Sequence, residues 1–185
     1  SINWDFDMSY LVNPYLVSPS EQEHCMSSSS QFLFMYSGGA YGTRLGEQFL
    51  TGNDVIGEVV TSANFLLKRV GGQGGFGDIS CYIGVGSTDP ASDTLLGSYD
   101  AAEIDTGASG ERITFDSAGA THTVSADDIV YVVSTYNDAT QHIAMGFTGT
   151  DATYPPRLAN EQGGRYISSW GFTMMRKQPN YCVIY

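Results

Sequence analysis

The chain has 185 residues and a mass of 19.9 kDa, long enough for one core that buries about 70% of the unfolded surface, so neither a disulfide nor a metal is needed merely to fold. Charged residues make up only 15% against 42% hydrophobic and 12% aromatic, and 22 Gly and 12 Tyr leave a surface of Ser, Thr, Asn, Gln and Gly, a balance commoner in secreted, fibre-like or lectin-like β proteins than in cytosolic enzymes. Twenty acidic residues against 8 Lys plus Arg give a formal charge of −12, which repels phosphate backbones and anionic membrane surfaces, argues against nucleic-acid binding, and suits solubility, divalent cations or a saline environment.

Residues 1–30 combine Trp4, Phe6, Tyr10 and Tyr15 with Pro14, Pro19 and the tract Ser27 to Ser30, without helical periodicity. They are read as an extended arm and loop. The opening SINWDFDMSY has neither a basic start nor an apolar core, and no stretch approaches the ~18 apolar residues that span a bilayer, so no membrane insertion is expected. A start without Met fits either a processed protein or a fragment.

From residue 31 onward, short apolar or alternating runs recur between Gly, Asp, Asn, Ser and Pro clusters, the pattern of successive β-strands. In order they are QFLFMY, GEQFL, VVTSANFLLKRV, DISCYIGVG, TLLGSYDAA, ERITFDS, THTVS, DIVYVVSTY, QHIAMGFTG, YISSWGF and NYCVIY. No ten-residue window carries a helical apolar stripe, which disfavours βαβ units. The expectation is an all-β, antiparallel two-sheet sandwich over residues 31–185. Within VVTSANFLLKRV the core positions are Val60, Phe65, Leu67 and Val70, with a parity shift, and so a bulge, near Ser62 to Asn64. In DIVYVVSTY both parities are apolar, with Ile129, Tyr131, Val133 and Thr135 alternating with Val130, Val132 and Ser134. That strand should be central, with one face on the core and the other covered. There is no internal repeat and no linker dividing two domains.

The succession Gly46-Glu47-Gln48-Phe49, Phe65-Leu66-Leu67-Lys68-Arg69-Val70-Gly71, a Gly-rich turn to Gly77, Ile79-Ser80-Cys81-Tyr82-Ile83, and Val124-Ser125-Ala126-Asp127-Asp128-Ile129-Val130-Tyr131 resembles a diverged class of jelly-roll module. Such modules occur in virion surface (decoration or fibre) proteins and in secreted or cell-surface microbial proteins. The resemblance covers about residues 46–185. It departs at Glu47, where the class commonly has another polar residue, and in the length of the Gly-rich turn. It implies jelly-roll topology and placement outside the cell or on a particle, and it implies no catalytic site.

Signatures of chemistry are sparse. His24 lies in the Ser-rich loop, while His122 and His142 lie in alternating strands where an outward imidazole is the usual outcome. GxSxG, HExxH and Walker-type loops are absent, and GGQGGFG lacks the Lys-Ser/Thr ending of a phosphate loop. The chain is therefore read as no enzyme. Cys25, Cys81 and Cys182 leave at least one thiol unpaired; a single bridge remains open because Cys81 and Cys182 both sit in strand-like runs. Calcium is the ion that suits the oxygen-rich loops, with Asp54, Asp89, Asp93, Asp127 and Asp128 as candidate ligands, although turn-forming Asx residues explain each loop as well. Tyr136, Tyr154, Tyr166 and Trp170 are candidates for stacking on glycans; the alternative is that they cover or join the core.

The arm alternates Trp4, Phe6, Met8 and Tyr10 and continues through Leu11 and Val12, the pattern of a strand with one apolar face. It either completes its own sandwich or adds to the sheet edge of a neighbouring copy. The expected function is a non-enzymatic structural subunit that self-assembles through β-sheet contacts on a virion surface or in an extracellular filament or tube, its partners being copies of itself. The alternative is a carbohydrate-binding or adhesion module.

Overall fold

Alternating side chains punctuated by Gly, Asp and Ser give strands and almost nothing else. The computed structural model describes residues 21–26, 31–36, 42–71, 77–86, 89–134, 140–147, 161–167, 171–175 and 179–185, with backbone alone for Met26 and for 161–167 and 171–175. One sheet is built from β1 (Glu23–Met26), β2 (Gln31–Met35), β5 (Ser62–Val70), β8 (Glu111–Phe115), β11 (His142–Phe147) and β14 (Tyr181–Ile184), in the order β1-β14-β5-β11-β2 with β8 on the other side of β5. The second contains β3 (Arg44–Phe49), β6 (Asp78–Gly84), β7 (Thr94–Asp100), β10 (Ile129–Ser134), β12 (Glu161–Ile167) and β13 (Gly171–Met175), in the order β13-β12-β3-β10-β6-β7. A two-residue ribbon pairs β4 (Val59–Val60) with β9 (His122–Thr123). Every strand pair is antiparallel.

The two sheets share one core. Leu33, Met35, Phe65, Leu67, Ile143 and Met145 from the first meet Leu45, Phe49, Ile79, Ile83, Val130 and Val132 from the second, all buried. Along one side the chain passes from β7 to β8, and Ser117 N–H donates to the Leu96 carbonyl at 2.6 Å. A Cβ on Gly97 would lie 3.0 Å from the Asp116 nitrogen, so glycine lets the two edges approach there.

β10 is central, as its two apolar parities predict: Val130 and Val132 face the shared core, while Ile129 and Tyr131 are buried on the opposite face. Val60, Phe65 and Leu67 are core residues, but Val70 is only half-buried. The cause is a strand break, not a bulge. The register from Ser62 to Phe65 against β14 is unbroken, and Thr61 separates β4 from β5. Parity therefore changes between Val60 and Ala63 and puts Val70 on the outer face. The register irregularity falls instead between Cys81 and Tyr82, where Leu96 is the extra residue and turns into the core. Two strands lie where the sequence suggested none: β1, inside the presumed loop, and the Glu161–Tyr166 half of β12. YISSWGF is correspondingly divided between β12 and β13.

The bridge joins Cys25 to Cys182, and Cys81 is the buried free thiol. This corrects the attention given to Cys81 with Cys182. Cys81 lies on β6 opposite Val132 in the second sheet, whereas Cys25 and Cys182 are direct cross-strand partners on β1 and β14. Burial pushes the Cys81 thiol pKa well up and keeps it in the inert protonated form.

Candidate functional site

A cleft of about 330 Å³ opens where the end of β6, the start of β7 and the turn before β10 converge. Its walls include Ile83, Gly84, Asp93, Thr94, His122 and Asp128. The turn forms because Ser125-Ala126-Asp127-Asp128 folds back on itself. Asp128 N–H donates to the Ser125 carbonyl at 3.2 Å, and Ser125 N–H donates to Asp128 Oδ2 at 2.8 Å. Asp127 sits at φ 72°, the one described non-glycine residue with positive φ, a conformation that Asp tolerates through its short polar side chain. Its N–H donates to the Phe49 carbonyl at 2.7 Å, and Gln48 Nε2 donates to the Asp127 carbonyl at 3.1 Å. The turn is thus pinned to β3.

The same Asp128 oxygen lies 2.7 Å from His122 Nε2, and His122 Nδ1 lies 3.1 Å from Thr94 Oγ1. The carboxylate can only accept, so Nε2 carries a proton, and in the neutral ring Nδ1 accepts from the Thr94 hydroxyl. This hydroxyl–imidazole–carboxylate chain ties the ribbon of β9 to β7 and to the turn. His122 is therefore held at the cleft wall instead of pointing into solvent as its alternating strand suggested. Beside it, Tyr131 donates to Asp93 Oδ2 at 2.7 Å and stacks on Tyr82 with centroids 5.8 Å apart. Desolvation, then the hydrogen bond to Asp93 and its charge, push the Tyr131 pKa far up. Gly84, at φ 154°, admits Asp93: a Cβ there would lie 2.6 Å from Asp93 Oδ1.

Of the five candidate calcium ligands, Asp93 and Asp128 reach this cleft. Asp89 caps the 3-10 turn Pro90–Ser92 by accepting from Ala91 N–H at 3.0 Å, and Asp127 serves the turn. Asp54 is remote, 2.9 Å from His24 Nδ1. Among the described residues, these five carboxylates are not drawn into a three-ligand cluster; the one such group is Glu23 with Cys25 and Cys182, where both sulfurs are in the disulfide.

The glycan-stacking candidates Tyr136, Tyr154 and Trp170 lie outside the described residues, and Tyr166 is described by its backbone in β12 alone, paired with Phe172. The arm residues Trp4, Phe6, Met8, Tyr10 and Val12 also lie outside. Exposed aromatic surface occurs instead on the outer face of β2. Phe34 is 44% exposed, packs 4.6 Å from the buried His142 ring, and neighbours Phe32, over which Lys68 Nζ stands at 4.3 Å. The sequence alternation of QFLFM, read only as a strand, held this signal.

Among the described residues, no helix is long and apolar enough to cross a membrane. Comparison of the chain with protein-family models, curated proteins and solved structures finds no match.

Proposed function

We propose that this chain is a non-enzymatic structural subunit with a jelly-roll-type sandwich, working on a virion surface or in an extracellular filament or tube, and joined to copies of itself by β-sheet contacts. One observation carries the reading. Among the described residues, β2 and β13 stand at the sheet ends away from β7 and β8, and their sequences QFLFM and GFTMM contain no charge and no proline. Free sheet edges are normally blunted by such residues, and an unblunted edge is a template for another strand. The arm alternating Trp4, Phe6, Met8 and Tyr10 supplies a strand of the right pattern from a neighbouring copy. The cross-strand disulfide fits an oxidising compartment.

Light scattering and electron micrographs of the purified full chain, with calcium and with chelator, test the proposal. Ordered polymers are expected. Phe34→Lys, which puts a charge on an exposed edge position, and removal of residues 1–12 should each leave a folded monomer. A wild type that stays monomeric at high concentration in both conditions would overturn the assembly reading, and normal assembly without residues 1–12 would overturn arm exchange.

A second reading, a carbohydrate-binding or adhesion module, is favoured by the cleft, which the carboxylates of Asp93 and Asp128, the hydroxyl of Thr94 and the imidazole of His122 line, polar groups of the kind that meet sugar hydroxyls. A glycan array comparing wild type with Thr94→Val and with Trp170→Ala separates the two. Binding lost in a folded variant supports this reading; no binding by wild type rejects it.

A further inference from the structure

The two sulfurs of the disulfide differ in access and in the cation beside them. Cys25 is half-exposed on β1, with Glu23 Oε2 3.7 Å from its sulfur. Cys182 is 7% exposed on β14, and Arg112 Nη1 lies 3.6 Å from its sulfur. The guanidinium is not there by chance of a mobile side chain. It reaches across β5 from β8 and is held by donating to the side-chain carbonyls of Asn64 and Asn180, both buried. Glu23 stands within 4.8 Å of both sulfurs, and what separates them is access at Cys25 and the fixed guanidinium at Cys182.

We infer that the Cys25–Cys182 bridge is a thiol-exchange site of fixed polarity, at which a small-molecule or protein thiolate attacks Cys25 and Cys182 leaves. The attacking sulfur bonds to Cys25 Sγ as the Cys25–Cys182 bond breaks, and that bond's electron pair goes to Cys182 Sγ, a thiolate beside Arg112. One disulfide replaces another, with no net oxidation. A second thiol attacking the mixed disulfide would free Cys25 and carry away the oxidised pair. Access selects Cys25 as the attacked atom, and exchange is faster when the departing sulfur is stabilised as thiolate. Glu23, beside both sulfurs, repels anionic thiols from the bridge, so the site prefers neutral or cationic ones.

The structural consequence is local. β1 is four residues long and pairs only with β14 among the described residues, extended by the mutual backbone hydrogen bonds of Gln22 and Tyr185 at 2.8 and 3.0 Å. After exchange the cross-link between β1 and β14 is gone, and this sheet-end strand is held to β14 by hydrogen bonds and packing and to the rest of the chain only by the backbone running on into β2.

The experiment treats the native, oxidised full chain with cysteamine and, separately, with the anionic thiol mercaptoethanesulfonate, quenches in acid, blocks free thiols and maps adducts by peptide mass spectrometry. The expected result is a mixed disulfide on Cys25 and a blocked thiol on Cys182, with cysteamine the faster reagent and Glu23→Gln narrowing the difference. Arg112→Gln should slow cleavage on the order of threefold to tenfold and Arg112→Lys much less, because the rate follows thiolate character at the leaving sulfur. An adduct found mainly on Cys182, or no cleavage until the protein unfolds, overturns the inference. Both readouts use wild type and so survive misfolding of a variant. A folded Arg112→Gln protein that exchanges at the wild-type rate would equally reject the assigned polarity.

Discussion

Replacing Tyr131 with Phe removes one oxygen and keeps the ring that is fully buried on β10 and stacked on Tyr82. The lost interaction is the hydrogen bond from the phenol to Asp93 Oδ2. A hydrogen bond to a charged acceptor contributes about 1.5–3 kcal/mol, so Tyr131→Phe should lower stability by that amount at pH 7, or Tm by about 3–12 °C for a domain of this size. The pH dependence makes the test specific. The folded-state pKa of Tyr131 is raised, chiefly by desolvation and then by Asp93. Its stabilising contribution is therefore complete below the unfolded value of about 10 and is lost as pH rises beyond it, at about 1.4 kcal/mol per pH unit. Between pH 7 and pH 11 the gap between wild type and Tyr131→Phe should narrow by about 1.4 kcal/mol, while Tyr99 and Tyr185, also raised, titrate equally in both proteins. Urea unfolding followed by circular dichroism at a series of pH values measures the gap. A gap that stays constant to pH 11 would refute the claim that this phenol is held neutral against Asp93.

Gly46→Ala should destabilise by about 3 kcal/mol or more, because the new Cβ would meet the Val130 carbonyl oxygen at 2.1 Å and Tyr131 Cβ at 2.5 Å, and backbone cannot yield cheaply; soluble expression and thermal unfolding check this. His122→Ala takes a donor from the nearly buried Asp128 and the acceptor from Thr94, with an expected loss of about 1–3 kcal/mol in urea unfolding. Replacing Cys25 and Cys182 together by Ser should cost about 2–5 kcal/mol, since the bridge closes a loop spanning 157 residues, and hydrogen exchange should show the loss of protection first in β1 and β14.

What the sequence disclosed about this fold depended on how far apart the deciding residues lie. Short apolar runs bounded by turn residues, such as those around Phe65-Leu66-Leu67 or Val130-Tyr131-Val132, announce strands locally, because the pleat alone decides which side chains share a face. β1 escaped because EHCM is four residues with no alternation, and its membership in the sheet is decided by Cys182 and Val183 at the far end of the chain. The bridge shows the same limit. Strand-like surroundings pointed to Cys81 and Cys182, but only the sheet assignment of β6 and β14 shows that one faces Val132 while the other faces Cys25.

The cleft follows the same logic at finer scale. Asp93, Asp127 and Asp128 were legible as loop carboxylates, and the turn-former reading beside the calcium one accounts for Asp127 and for the backbone bond of Asp128. Sequence could not supply the partners. Thr94 lies 28 residues from His122, and Asp93 lies 38 from Tyr131. Antiparallel pairing brings the start of β7 beside the end of β6 and β6 beside the start of β10, and the β9 ribbon carries His122 to the same place. Residues that satisfy one another over such separations leave no local pattern, whereas His122 and Asp128, six apart across one turn, do. A polar residue alternating outward in a short strand just before an Asx-rich turn is thus a candidate clamp before it is a candidate ligand. The Ser125–Asp128 turn puts this to a direct test. Asp128→Asn keeps the size and an acceptor oxygen for Ser125 N–H but removes the charge that fixes the imidazole tautomer. If the turn bond from Ser125 N–H is what matters, Asp128→Asn should lose less stability than Asp128→Ala in urea unfolding. Equal losses would mean that the charge, and not the turn bond, holds the cleft together.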